Sequence, residues 1–114
     1  MASAQPERLD ATFQALGDPT RRALVARLTQ GPASVSELAA PFPMSLPAIH
    51  QHLAVLEGAG LIASQKVGRV RTCRIEPAAL SQAERWLTER RAAWEGKLDR
   101  LAAHLKQFPD GEPT

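Results

Sequence analysis

Apolar residues along this chain fall into runs of helical and strand-like spacing, separated by Gly and Pro. The clearest run is Met44 to Leu61, MSLPAIHQHLAVLEGAGL, in which Ile49, Leu53 and Leu56 recur at i, i+4 and i+7 and form one apolar stripe. Ser45 stands before it as an N-cap, and Pro47 falls in the first turn, where a missing N–H removes no intrahelical bond. Gly58 and Gly60 supply the permissive backbone on which helices end, so the spacing predicts a helix over roughly 46–57. Just upstream, Ser34 and Glu37 are spaced as a capping box at the head of SVSELAA, and Pro41 and Pro43 stop that two-turn helix. A short helix, a tight turn and a second helix make a helix-turn-helix, with Val35, Leu38 and Ala39 expected against Ile49 and Leu53.

The flanking runs complete the architecture. Leu9, Phe13 and Leu16 predict a first short helix ended by Gly17, with residues 1–7 frayed and its exposed side free for a partner. Asp18 caps a second helix with Pro19 at its first position; Leu24, Val25 and Leu28 form its core face before Gly31-Pro32 breaks it. Residues 61–66 and 70–75 read as two short strands around a Gly68-Arg69 tip. After Glu76-Pro77, a single long helix is predicted to about residue 107, and Gly96 weakens its middle by up to about 1 kcal/mol relative to Ala. On it Leu80, Leu87, Trp94 and Leu101 lie seven apart, Leu98 and Leu105 repeat on the neighbouring row, and Ala83 and Trp86 broaden the face. Such a seam calls for a partner, so homodimerisation is expected through this helix and the first, with Phe13, Leu87, Trp94, Leu98, Leu101 and Leu105 at the contact. The expected fold class is therefore mainly α with a small β-hairpin, in the order α-α-α-α-β-β-α.

Length fits one domain spanning 1–114, divided into a core at 8–75, a dimerisation helix at 77–107 and a loose tail at 108–114. No apolar run approaches the roughly 18 residues that span a bilayer, and MASAQPERLD has neither the basic start nor the apolar centre of a signal peptide. A cytoplasmic protein with no membrane partner is expected. Cys73 is the single cysteine, which excludes an internal disulfide and a Cys-rich metal site; it reads either as a packed strand residue or as a redox-sensing thiol.

The net charge of +2 says little until it is mapped. Residues 61–75 hold Lys66, Arg69, Arg71 and Arg74 with no acid, whereas the rest of the chain holds 10 basic and 12 acidic side chains. A basic hairpin directly after a helix-turn-helix is the footprint expected where phosphates are met, although four exposed cations also merely solubilise a hairpin. On the 46–57 helix the side opposite the stripe carries Pro47, Gln51 and Ala54, with His50 on its flank and no charged residue. Small residues with Gln and His suit a helix lying against base edges, and an amphipathic helix with an uncharged outer face gives the same pattern. Arg21 and Arg22 occupy a first turn, where the helix dipole disfavours cations; they imply a phosphate or an acidic side chain nearby, or a solvated pair.

Ala15-Leu16-Gly17-Asp18-Pro19-Thr20-Arg21-Arg22, then Ser36-Glu37-Leu38-Ala39, Ser45, Pro47-Ala48-Ile49, His52-Leu53, Leu56 and Ala59-Gly60-Leu61-Ile62 resemble, in this order and spacing, the ArsR/SmtB family of winged helix-turn-helix transcriptional repressors. The resemblance runs from Phe13 to Ile75, more than half the chain. RRAAWEGKLDRLAAHL further resembles a subgroup with Trp-Glu followed by Leu-Asp-x-Leu at this place. It departs at Leu46, His50 and Gln51, where the family often has Gln, Ser and Lys, so no operator sequence carries over.

The resemblance implies a homodimeric repressor of double-stranded DNA on a palindromic operator. The reading helix would contribute Ser45, Pro47, His50 and Gln51, and the hairpin, or wing, would lay Lys66, Arg69 and Arg71 along the backbone. Family members commonly release DNA when an inducer binds, so an unknown small-molecule inducer is a further expected partner. The family's usual metal sites are missing their ligands: Glu37-Leu38-Ala39-Ala40 offers no thiol, and His104 has no acid or His three or four residues away, so neither metal nor cofactor is expected. No phosphate-cradling Gly loop or nucleophile-base arrangement marks an enzyme. The rival reading is a winged-helix protein-interaction adaptor without DNA binding, against which the basic hairpin argues. RNA binding fits less well, because the hairpin carries no aromatic residue on which bases stack.

Overall fold

A computed structural model describes residues 4–107. The elements in chain order are α1 (Ala4–Ala15), α2 (Pro19–Leu28), β1 (Ala33–Ser34), α3 (Val35–Ala39), α4 (Leu46–Gly58), β2 (Ile62–Val67), β3 (Val70–Ile75) and α5 (Pro77–Lys106). The chain divides into two compact units, one up to Ala83 and one from Glu84 onwards.

Local chemistry sets most of the boundaries. Asp18 caps α2 by accepting from the Arg21 N–H, and Ser34 and Glu37 satisfy each other's backbone N–H groups at α3 as a reciprocal capping box. Ser45 accepts from the Ala48 N–H and opens α4 one residue before Pro47. At the other end, Gly60 takes φ +77; its N–H reaches Glu57 O and the Leu61 N–H reaches Leu56 O, the paired bonds of a Schellman stop. Gly58, predicted to share that role, remains helical, and Gly60 alone carries the left-handed turn. Gly68, with φ +62, takes the first position of a two-residue hairpin loop between Val67 and Val70, the conformation that matches strand twist.

Two expectations change. The first helix begins at Ala4 rather than after residue 7, because Pro6 falls in its first turn, where the absent N–H breaks no bond. The predicted tail at 108–114 lies outside the described residues. The hairpin is also not alone: β1 pairs antiparallel with β3, placing Ala33 opposite Cys73 and Ser34 opposite Thr72, so the sheet has three strands in the order β1-β3-β2. A two-residue strand shows no alternation that a sequence pattern can register.

In the first unit the core joins Ala15, Leu24, Val25, Leu28, Ala33, Val35, Leu38, Ile49, Leu53, Leu56, Leu61, Ile62 and Cys73, all buried. The stripe predicted on α4 is this core's centre, and Val35 and Leu38 of α3 meet it there. Ala79 and Leu80, at the start of α5, pack on the same cluster. In the second unit, α5 leaves Leu87, Trp94, Leu98, Leu101 and Leu105 between 45% and 60% exposed, and Arg90 lies over the Trp86 ring at 5.3 Å. Among the described residues no helix is long and apolar enough to cross a membrane.

Candidate nucleic-acid interface

The outward side of α4 follows from its inward one. With Ile49, Leu53 and Leu56 buried, helical geometry turns Pro47, His50 and Gln51 outward, and all three are exposed, as are Ser45 and Leu46. Ser45, Pro47, Ala48, His50 and Gln51 line one open concavity at the N-terminal half of the helix. No charged side chain belongs to it.

His52 lies on the opposite flank and is half-buried. Its Nδ1 stands 3.8 Å from Asp18 Oδ2 and 3.4 Å from Arg21 Nη1, so it ties α4 to the capped start of α2 and takes a structural part. The Asp18 carboxyl is held below its ordinary pKa, chiefly by the Arg21 backbone N–H it accepts and then by the nearby His52 and Arg21 side chains.

Arg21 and Arg22 have partners that neither alternative anticipated. Arg21 donates from Nε to Ala15 O at 2.6 Å and from Nη2 to Gln14 O at 3.2 Å, while Arg22 Nη1 donates to Leu16 O at 2.7 Å. Both guanidinium groups cap the C-terminal end of α1, where the dipole favours a cation, and this offsets their unfavourable position at the start of α2.

The wing's charge is less uniform than the count over 61–75 implies. Arg74 Nη2 pairs with Glu76 Oε1 at 3.5 Å, one residue beyond that window. Arg71 Nη1 donates to Ser64 Oγ at 2.8 Å, and Ser64 Oγ lies 3.0 Å from Glu57 Oε1 at the end of α4. Among the described residues none holds Lys66 or Arg69 by a hydrogen bond or ion pair, and both are exposed. The cations open to an outside partner are therefore Lys66 and Arg69, joined by the remaining donors of Arg71. Glu57 and Ser64 were missed at the sequence level; the signal for Glu57 was an acid in a last helical turn, where the dipole disfavours it.

Cys73 is buried at the centre of β3, between Ala33 and Ser64 of the flanking strands. Burial pushes its thiol pKa up, and Glu57 adds to this against the opposing effect of Arg71, which favours the packed-residue reading over a reactive thiolate. Among the described residues no three His, Cys, Asp or Glu side chains converge as a metal-binding group.

A helix-turn-helix with an uncharged outward face, followed by a cation-bearing hairpin on the same core, defines a winged helix-turn-helix DNA-binding protein. Known proteins agree: a helix-turn-helix domain family matches residues 16–65. The HTH-type transcriptional regulator Rv2034 of Mycobacterium tuberculosis is 46% identical over 72 residues, 63% of this chain and 67% of that protein. The crystal structure of the ArsR family transcriptional regulator RHA00566 superposes with a TM-score of 0.76 at 53% identity, covering 79% of this chain and 93% of the other. A solution structure of the homodimeric winged helix-turn-helix DNA-binding domain of Mb0332 from Mycobacterium bovis shares the fold, with a TM-score of 0.62 at 21% identity over 87% of this chain and 89% of that one. This chain belongs to the ArsR family of transcriptional regulators. It is a DNA-binding regulator and not an enzyme, which sets aside the adaptor reading.

Proposed function

We propose that this protein represses transcription as a homodimer, seating the α4 helices of its two chains in successive major grooves on one face of a palindromic operator. Half-sites would lie about 34 Å apart, and occupancy would exclude polymerase. The observation that carries this reading is the division of labour on the surface: Ser45, Pro47, His50 and Gln51 form an uncharged, hydrogen-bonding face on α4, and Lys66, Arg69 and Arg71 stand on the wing. The first suits base edges and the second suits phosphates. Residues 8–75 form the DNA-binding part, and 77–107 the dimerisation helix.

The dimer reading rests on the exposed α5 seam of Leu87, Trp94, Leu98, Leu101 and Leu105, with Phe13 of α1 also exposed, and on the homodimeric Mycobacterium bovis domain of the same fold. Thirty residues of helix span about 45 Å, long enough to present several heptads to a second copy. The deciding experiment is a nuclease footprint of the purified protein on DNA upstream of its own gene, followed by a promoter-reporter assay. The expected result is two protected half-sites one helical turn apart and lower reporter output. Protection of a single half-site, or higher output, would contradict the model of a dimeric repressor.

A further inference from the structure

Glu57 stands in the last turn of α4, where the negative end of the helix dipole and the approaching phosphates of DNA both oppose a carboxylate. Among the described residues, the hydrogen-bond partner of its carboxylate is the Ser64 hydroxyl. A hydroxyl carries a single proton, so with Ser64 donating to Glu57 at 3.0 Å, Arg71 Nη1 at 2.8 Å meets a lone pair of the same oxygen. The chain of donation runs from the wing to the end of the reading helix. Strand register places its members: Ser64 opposite Cys73 and Lys66 opposite Arg71 share one sheet face, the one whose Cys73 is buried. Lys66 and Arg71 are like charges directly opposite each other, a pairing that pushes Arg71 away, and Ser64 draws it back toward α4. With Nη1 engaged, Nε and Nη2 of Arg71 remain for another acceptor.

We propose that Glu57 and Ser64 are positioning residues for DNA binding, through which the end of α4 holds the Arg71 guanidinium so that reading helix and wing dock as one piece. The inference rests on the reading of the wing as a phosphate contact. Neither Glu57 nor Ser64 touches DNA; their work is to fix where Arg71 delivers its remaining donors.

The test uses the full chain and two DNA probes, a duplex selected by the wild type from a random library and an unselected duplex of equal length. Ser64→Ala is expected to weaken binding to both duplexes by about tenfold, the scale of one charge-assisted hydrogen bond, and Glu57→Ala to bind both about tenfold more weakly than Glu57→Gln, which has lost the same charge. Ser64→Ala also moves the salt slope on the selected duplex toward that of Arg71→Ala. Ser64→Thr keeps a hydroxyl and with it the wild-type affinity for both duplexes, while Glu57→Gln keeps an acceptor oxygen and binds both more tightly because a negative charge is gone. In an Arg71→Ala background, Ser64→Ala has no further effect. An equal loss in that background, or wild-type behaviour of Ser64→Ala, overturns the tether. Wild-type affinity and slope for Arg71→Ala alone overturn the phosphate reading of the wing, and the tether with it.

Discussion

Arg21, in the first turn of α2, donates from Nε to the carbonyl oxygen of Ala15, the last residue of α1, at 2.6 Å. One side chain thus satisfies an orphan carbonyl of one helix while its own N–H is capped by Asp18 at the next. Arg21→Ala leaves two α1 carbonyls without that donor and is expected to destabilise the fold by about 1.5–3 kcal/mol, the range for hydrogen bonds to charged groups. Arg21→Lys recovers little, since an ammonium cannot fork across two carbonyls as the guanidinium does. Thermal melts check this: at about 4–8 °C per kcal/mol for a domain of this size, an unshifted midpoint in Arg21→Ala means the contact has no weight.

Two carboxylates make acid stability predictable in sign. Asp18 and Glu37 each sit below their ordinary pKa, Asp18 chiefly through the Arg21 N–H and Glu37 chiefly through the Ser34 N–H. A depressed folded-state pKa contributes stability above the unfolded value of about 4 and loses it as pH falls through the folded one. Asp18→Asn keeps a capping acceptor but not the charge, so wild type should melt higher than Asp18→Asn at pH 6 and converge with it as pH falls below about 4 through the folded-state pKa. A gap that stays constant across that range would show that ionisation of Asp18 plays no part.

These contacts also mark how far the sequence could be read. Capping at Ser34, Glu37 and Ser45 acts over three residues, so spacing alone located α3 and α4. The α4 stripe was equally legible, because burial of Ile49, Leu53 and Leu56 imposes helical periodicity. What escaped depends on residues brought together by folding. Arg21 and Arg22 looked misplaced because their partners are the end of α1, six or seven residues earlier, and β1 exists only through its pairing with β3. The count of four cations and no acid was drawn over residues 61–75, a window that excluded Glu57 and Glu76, the two acids that reach Ser64 and Arg74.

The proposed dimerisation through α5 predicts a specific weakness. Leu98 is 45% exposed and Trp94 60% exposed in a single chain, so a charge at either position costs a monomer little. In an apolar dimer contact the same unpaired charge costs about 3 kcal/mol or more, which weakens association by roughly a hundredfold. Sedimentation of wild type, Trp94→Glu and Leu98→Glu at micromolar concentration should give a dimer and two monomers with native helix content. A wild-type monomer refutes the interface outright.

On the wing, paired and unpaired arginines should behave differently. Among the described residues no acid pairs with Arg69 at the hairpin tip, so Arg69→Ala should reduce the salt slope by about 0.9 per phosphate contact, twice that in a dimer, on selected and unselected DNA alike. Arg74 already faces Glu76 at 3.5 Å, and Arg74→Ala should change the slope by less. Equal slopes for Arg69→Ala and wild type would show that the tip stays clear of the backbone.

Specificity is predicted to reside on α4, in the residues where this chain departs from the commoner family pattern. Gln51 projects from the side opposite the buried stripe and shares its concavity with His50, Ser45 and Pro47, and no Asp, Glu, Lys or Arg is among the described residues that line it. A glutamine amide offers a donor and an acceptor at the spacing of adenine N7 and N6, and a histidine N–H suits a guanine acceptor. Phosphate contacts act on every sequence equally, whereas these pair only with the right base. Gln51→Ala should therefore cost about 1–3 kcal/mol on the selected duplex and much less on unselected DNA, with preference relaxed at one base pair in each half-site. His50→Ala should relax a different position. Binding-site selection repeated with each variant measures this directly: if both return the wild-type consensus at full strength, the α4 face does not read bases, and discrimination must come from the wing or from DNA shape.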